Sequence, residues 1–580
     1  MTYRWSCIVL ALLIGSCGAQ PGRATDSFDL VLKGGTVYDG SGKPGFVSDV
    51  GVRGDRVVAV GDLSKATAKK TLDVHGKVVA PGFINVLAHS EESLIADGRS
   101  QGEIREGVTL EIMGEGGSMG PLNDSMKAEA LKQEADIKYP IDWTTLGEYL
   151  AGLERKGIST NVASLVGAAT IRTHELGYAN KQATPEQMER MKALVQQAME
   201  EGALGVGSAL IYVPGSFAST EEVIELCKVA ARYDGVYATH MRSEGDRFLE
   251  AIDETVRIAR EAGIRAEIFH LKAAGESNWP KMAQGIERIE AARRSGVKLT
   301  ADMYPYTAGA TGLDAAMPPW VQEGGLDAWV ERLKQPDVRK RVAAEMRTRS
   351  PEWENLYLAA GSADRLLLIA FKNPALKPLT GKSLAEVAKM RGKSPEETAM
   401  DLVVEDHTRV GTAYFLMSED NVRLGLKQPW VSIGSDEASM APEGVFLLQN
   451  PHPRAYGAFA RFLGHYARDE KVTTPEDAVR RMTQLPAETF GVKDRGCLRS
   501  GCFADLVVFD LAKVQDLATF QKPHQYSTGV VDVFVNGVQV LANGEHTGAK
   551  PGRFVRGPGY RGGRMQIPKP PNPEQRKFND

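Results

Sequence analysis

The 580-residue chain has ordinary globular composition, with 42% hydrophobic residues, 25% charged residues and a formal net charge of −4. Such a length can bury a large α/β unit and a second, smaller domain. The charge balance excludes an extended nucleic-acid-binding face, and no basic tract reverses it.

In chain order, the first segment reads as an export signal. Arg4 precedes the apolar run Ile8–Val9–Leu10–Ala11–Leu12–Leu13–Ile14, followed by small residues. A signal over residues 1–22 is too short to span a bilayer as an anchor. Ile14–Gly15–Ser16–Cys17 resembles a lipobox with Cys17 as the lipidated terminus, and an ordinary cleaved signal is the alternative. Either places the mature protein outside the cytoplasm, periplasmic or lipid-anchored to the envelope. Membrane contact is then expected only through the lipid.

Residues 28–80 alternate apolar and polar positions between Gly and Asp turns, the texture of antiparallel strands. The texture returns at Ala504–Asp510 and Val531–Gly537, so 28–80 and 490–556 are expected to share one small β-sandwich. Residues 81–489 alternate strand-like runs with helical patterns, the mark of βα units. The runs are Phe83–Val86, Val108–Met113, Val162–Val166, Gly205–Gly207, Val236–Ala238, Ala266–Phe269, Leu299–Met303 and Val431–Ile433. Eight runs suit a (β/α)8 TIM-like barrel, giving an α/β fold with a composite β-sandwich from both chain ends. A segment over 307–427 interrupts the last two runs and is either a lid or a solvated helical decoration. The tail, 557–580, is rich in Pro, Gly and Arg and is expected to be flexible. Beyond the signal, three cysteines remain. Cys227 is expected as a buried thiol, and Cys497 and Cys502 flank a turn that allows a local bridge.

Chemistry-bearing residues gather at the ends of these runs. His240 ends Val236–Tyr237–Ala238–Thr239–His240, His270 ends Ile268–Phe269–His270, and Asp436 ends Val431–Ser432–Ile433–Gly434–Ser435–Asp436. C-terminal strand ends are where a barrel collects catalytic groups. A lone histidine is usually a hydrogen-bonded core residue, but two at matching strand ends suit zinc. Asp436 can cap a helix or take a proton from a metal-activated water. Glu115, in the turn Gly114–Glu115–Gly116–Gly117, would complete a two-His, one-Glu set, or lie in water as an ordinary turn carboxylate.

Several longer motifs appear in order: Leu32–Lys33–Gly34–Gly35–Thr36–Val37–Tyr38–Asp39–Gly40, Ala80–Pro81–Gly82–Phe83–Ile84, Tyr237–Ala238–Thr239–His240–Met241–Arg242, His270–Leu271–Lys272, Asp302–Met303–Tyr304–Pro305–Tyr306, Gly434–Ser435–Asp436 and His452–Pro453–Arg454. From Asp29 to about Arg556 the chain resembles the D-aminoacylase (N-acyl-D-amino-acid deacylase) branch of the amidohydrolase superfamily. The resemblance implies one or two zinc ions and hydrolysis of an amide beside a free carboxylate. It makes His240 and His270 metal ligands and Asp436 the general base. It assigns Lys272 and Tyr304 to the carboxylate of a small-molecule substrate, a role that suits an ammonium and a phenol. Two positions depart from the branch. Leu87 replaces the first histidine of a His-x-His pair, leaving His89, and Gly116 falls where a bridging cysteine is usual. Glu115 is expected to reach into the cysteine's place, with one zinc favoured at Glu115, His240 and His270; His89 is left unassigned.

Three functions compete. The first is a zinc-dependent amidohydrolase of N-acyl amino acids, D- favoured, or of dipeptide-like amides with a free carboxylate. The second keeps the site but cleaves a lactone, cyclic amide or other acyl compound. The third is an exported binding protein whose catalytic site has degenerated.

Overall fold

The alternating residues after Phe28 fold into five strands: β1 (Ser27–Val37), β2 (Phe46–Arg53), β3 (Arg56–Gly61), β4 (Thr67–Asp73) and β5 (Val78–Pro81). They belong to a computed structural model that describes residues 27–562, so the signal expected over 1–22 and the tail beyond 562 lie outside the described residues. β1 pairs antiparallel with β2 and parallel with β4 and β5. Its register shifts between Leu32 and Gly35. Gly34 there has φ +73, and a side chain would run into the His75 ring, so the bulge needs glycine.

The parallel strands follow as β6 (Phe83–Asn85), β7 (Val108–Met113), β8 (Asn161–Ser164), β9 (Val166–Gly167), β10 (Gly205–Ala209), β11 (Val236–His240), β12 (Arg265–Ile268) and β13 (Leu299–Met303). β6, β7 and β8 form one ladder, and β9 to β13 form another in sequence order. β8 and β9 are two halves of a single run broken at Leu165. Helices between strands open on strong start signals. A Thr145–Glu148 capping box begins Leu146–Lys156, and Thr184 with Gln187 begins Pro185–Glu201, which has proline in its first turn. These crossovers return the chain so that all the strands run the same way, and their C-terminal ends share one face.

Past β13 the interruption folds as a unit. Its strands β14 (Ala308–Gly312), β15 (Leu366–Ala370) and β16 (Gly411–Phe415) form an antiparallel sheet in the order β14–β16–β15. Leu313, Val321, Trp329, Leu333, Leu368 and Tyr414 are buried in a core of its own. β17 (Val431–Ile433) then pairs with β13. Immediately after it, Ala88 and Glu437 form a parallel bridge, and the Asp436 amide donates to Leu87 O at 2.8 Å. The first strand run is thereby set beside the last.

The final strands, β18 (Leu506–Phe509), β19 (Val530–Val535), β20 (Val538–Ala542) and β21 (Glu545–His546), join the opening sheet through β18–β5 pairing. One nine-stranded sheet is thus built from both chain ends. The start of the tail is docked rather than loose: Gly557 N donates to Gly202 O at 2.8 Å and Arg561 N to Glu200 O at 3.0 Å. Cys497 and Cys502 are joined by a disulfide, and Cys227 is a buried free thiol. Among the described residues no helix is long and apolar enough to cross a membrane.

Candidate metal centre and active site

Glu115 is the hub of the site. It leaves β7 on a turn in which Gly114 and Gly116 have φ of +104 and +68. A side chain at position 116 would meet Ala209 Cβ at 2.6 Å, so the donor comes from residue 115 instead. Glu115 Oε1 lies 3.0 Å from His240 Nδ1 and 2.9 Å from His270 Nε2. Its Oε2 lies 3.0 Å from His89 Nε2, which is 3.1 Å from Asp436 Oδ1. One carboxylate therefore belongs to two donor sets, Glu115–His240–His270 and His89–Glu115–Asp436, each with its ligand atoms within 4.8 Å of one another.

Both strand-end residues carry unusual backbone. His270 has φ +36 and Asp436 φ +53, left-handed values that cost non-glycine residues on the order of 1 kcal/mol or more. The neighbours hold that geometry. The His270 amide donates to Asp302 Oδ1 at 3.0 Å. The Ser435 amide donates to Asn85 Oδ1 at 3.0 Å, and Asn85 Nδ2 donates to Ser435 Oγ at 2.7 Å and to Glu103 Oε1 at 3.0 Å. Asn85 thus ties the run bearing His89 to the run bearing Asp436.

Charge is concentrated here, most of it buried. Burial pushes the Glu115 carboxyl up, but the three facing imidazoles outweigh it and hold the group well below the usual range. Asp436 is likewise raised by burial and, on balance, lowered, chiefly by Arg454, then His270 and His89. His89 and His270 resist burial and are raised well above the ordinary imidazole value by the carboxylates around them. Ligands about 2 Å from a tetrahedral zinc stand about 3.3 Å apart, close to the 2.9–3.0 Å between Glu115 Oε1 and the two imidazole nitrogens. A donor set of imidazoles and carboxylates therefore fits a zinc-type ion. A third acidic group, Glu419–His465–Glu470, is crossed by the Arg423 guanidinium, which already supplies its positive charge.

Sequence reasoning assigned no role to Glu244. It is buried, with Oε1 2.8 Å from His270 Nδ1 and 2.6 Å from Lys272 Nζ. Burial would raise it, but Lys272, His240 and His270 hold it far below the carboxylate range. Its place four residues after His240 was the available signal. Arg454, the last residue of the motif His452–Pro453–Arg454, also reaches the site: its Nη1 donates to Asp436 Oδ2 at 2.6 Å, and its guanidinium lies 4.4 Å from the Tyr304 ring centre.

Lys272 and Tyr304 line the same cavity as the histidines, a space of about 390 Å³ walled on its far side by the insertion. Lys272 is not a free ammonium, because Glu244 and His270 engage it. Gly309 on β14 keeps the space beside both residues open: a side chain there would come within 3.2 Å of Tyr304 Oη and 3.9 Å of Lys272 Cε. The structure brings together all six residues singled out from the sequence, Glu115, His240, His270, Asp436, Lys272 and Tyr304, and adds His89.

Residues 70–541 match the model of the amidohydrolase family. A D-aminoacylase from Alcaligenes xylosoxydans xylosoxydans is 37% identical, the match covering 91% of this chain and 97% of the relative. A solved D-aminoacylase structure, from work on its binuclear metal centre that describes one-metal activation and second-metal attenuation, superposes with a TM-score of 0.76 at 35% identity over 91% of this chain and all of the other. An N-acyl-D-glutamate deacylase from Bordetella bronchiseptica, solved with zinc and a phosphonate mimic of the tetrahedral intermediate, gives 0.74 at 30% identity over 92% and 100% of the two chains. The chain belongs to the amidohydrolase family, on the branch of the D-aminoacylases, and has that family's TIM-barrel fold. The degenerate binding-protein alternative gains no support from these relatives.

Proposed function

We propose that this protein is a zinc-dependent hydrolase that cleaves the amide bond of N-acyl-D-amino acids. The observation that carries the reading is the Glu115 carboxylate, shared between His240–His270 and His89–Asp436 at the floor of a cavity that also holds Lys272 and Tyr304. Its relatives on the branch are D-amino-acid deacylases. Glu115, His240 and His270 would hold the working ion, which when bound lowers the pKa of water toward about 7 and polarises a carbonyl. One ion is favoured, because Leu87 offers no donor on the His89 side. Asp436 is ionised at neutral pH and acts as the base: Oδ2 is taken by Arg454, and Oδ1, which faces His89 and the Glu115 carboxylate, accepts the proton of the attacking water and returns it to the leaving amine. The substrate carboxylate fits the slot that Gly309 leaves beside Tyr304 and Lys272.

The test is a screen of paired N-acetyl D- and L-amino acids with native, chelated and zinc-restored protein. Turnover of D-substrates, lost on chelation and restored by about one zinc per chain, is expected. Equal turnover of both enantiomers, or activity indifferent to chelation, would overturn the reading. We also propose export, with Cys17 as a lipid-bearing terminus; the support is the sequence Arg4–Cys17 alone. Palmitate labelling in a bacterial host, abolished by Cys17→Ser, is the expected result, and a labelled Cys17→Ser variant would refute it.

A further inference from the structure

A second cavity adjoins the first. It measures about 400 Å³, and three of its lining residues, Tyr212, Arg409 and Gln449, also line the cavity of the candidate metal centre. One part of its wall is apolar and aromatic, formed by Tyr178, Val213, Leu326, Trp329 and Phe371; Gln322, Lys372 and His407 are among the polar side chains of the rest. At the shared boundary the Arg409 guanidinium lies 4.8 Å from the Tyr212 ring centre, held by Asp314 at 2.8 Å and by Thr311 Oγ1 at 2.9 Å.

The geometry points to this chamber as a subsite for the acyl arm of the substrate, so that long, apolar N-acyl groups are preferred over acetyl. The inference rests on the hydrolase reading above and adds the substrate class. Strand β14 fixes the direction. Gly309, near its start, borders the Tyr304–Lys272 slot, and Thr311, towards its end, holds Arg409 at the chamber boundary. Tyr212, on that boundary, packs edge-on against His240, with ring centres 5.1 Å apart. A substrate with its carboxylate beside Gly309 and its scissile carbonyl over Glu115 must send its acyl group toward Tyr212. Beyond Tyr212 lies the chamber. An acetyl group ends before it, whereas a chain several methylenes longer enters it and leaves water.

The experiment is an acyl-length ladder on one D-amino acid, from acetyl through butanoyl and hexanoyl to octanoyl, with kcat/KM measured for each. Each methylene that becomes buried should raise kcat/KM by about threefold to fourfold, so the octanoyl-to-acetyl ratio should exceed tenfold. Leu326 lines the chamber and not the cavity of the candidate metal centre, which supplies the control. In Leu326→Trp, whose indole fills the space, the ratio should fall toward one. In Leu326→Ala, which widens it, the rise should continue to longer chains. A flat or falling ladder in the native protein, or a ratio unmoved by both substitutions, would overturn the subsite. Failure to hydrolyse any member, acetyl included, would instead overturn the hydrolase reading.

Discussion

The two halves of the centre share Glu115 but are built differently. On one side His240 and His270 are only 4% and 3% exposed, and Glu244 and Lys272 pack behind His270. On the other side the His89 side chain is 39% exposed, and its neighbour Leu87 is buried among Ile84, Val86 and Leu110 with nothing to donate. The His270 imidazole, held on its far edge by Glu244 and Lys272, is already oriented for an ion and loses little freedom on binding it; the more exposed His89 is held only by the carboxylates Glu115 and Asp436. The difference teaches that a bridging residue need not imply two equal ions. Here it joins a tight position to a loose one.

The widest break comes from Glu115→Ala, which removes the only group common to both halves. Zinc content should fall toward zero, and kcat/KM should drop by more than the ~10⁴ that loss of a general base alone can cost. Metal analysis alongside kinetics checks this; a variant that keeps one zinc would show that the imidazoles suffice. Asp436→Asn separates chemistry from binding. It should keep its zinc and its fold while kcat falls by about 10²- to 10⁴-fold, and unchanged turnover would remove Asp436 from the mechanism.

Much of this was legible in the sequence, for identifiable reasons. Strand ends announce themselves because apolar runs stop at a polar residue, which is how His240, His270 and Asp436 were found. The glycines around Glu115 marked a turn that could aim a carboxylate, and the steric bar at Gly116 explains why that residue rather than its neighbour serves. The spacing of Glu244 from His240 is a weak signal, because a glutamate there reads as an ordinary loop carboxylate until the fold turns it inward. Asn85 was hidden because its partners, Ser435 and Glu103, are 350 and 18 residues away. The inner core of the insertion, and so its role as a cavity wall, depends on contacts among helices whose apolar faces read alike on paper.

The braced half can be loosened without touching a candidate ligand. Glu244 Oε1 lies against the Nδ1 edge of His270, the edge facing away from Glu115. Glu244→Gln should therefore weaken zinc affinity by about 10- to 100-fold, the usual cost of losing such a partner. Competition with a chelator measures it directly, and an unchanged dissociation constant would reduce Glu244 to a counter-ion for Lys272. The substrate slot gives a comparable or smaller effect. Gly309→Ala has room in the backbone but crowds Tyr304 Oη, so KM should rise about tenfold, within the ~1–3 kcal/mol expected of overpacking. Metal content should not move, and a KM that also stays fixed would place the carboxylate elsewhere.

The looser half also rests on a group that titrates near neutrality. Glu106 ends the helix Gln101–Glu106, and its Oε2 accepts from the amides of Phe459 and Ala460 at 2.8 and 2.9 Å, in the helix that Arg454 begins. Burial is the main cause that lifts its pKa, to about 8, despite those amides. An ordinary unfolded glutamate titrates near about 4.3, so between that value and 8 the folded chain binds the extra proton. Stability from this group is therefore fully present below about pH 4 and is lost as pH rises toward 8. Glu106→Gln keeps a carbonyl to accept from both amides and has no charge to bury. Its melting temperature should fall less than that of the native protein between pH 5 and pH 8, by on the order of 3 °C in a chain of this size. Hydrogen exchange at pH 8 should show the helix Arg454–Arg461 opening more readily in the native protein than in the variant, while the amides around His240 and His270 exchange alike in both. Parallel loss in both regions would mean that the two halves of the centre are one cooperative unit after all.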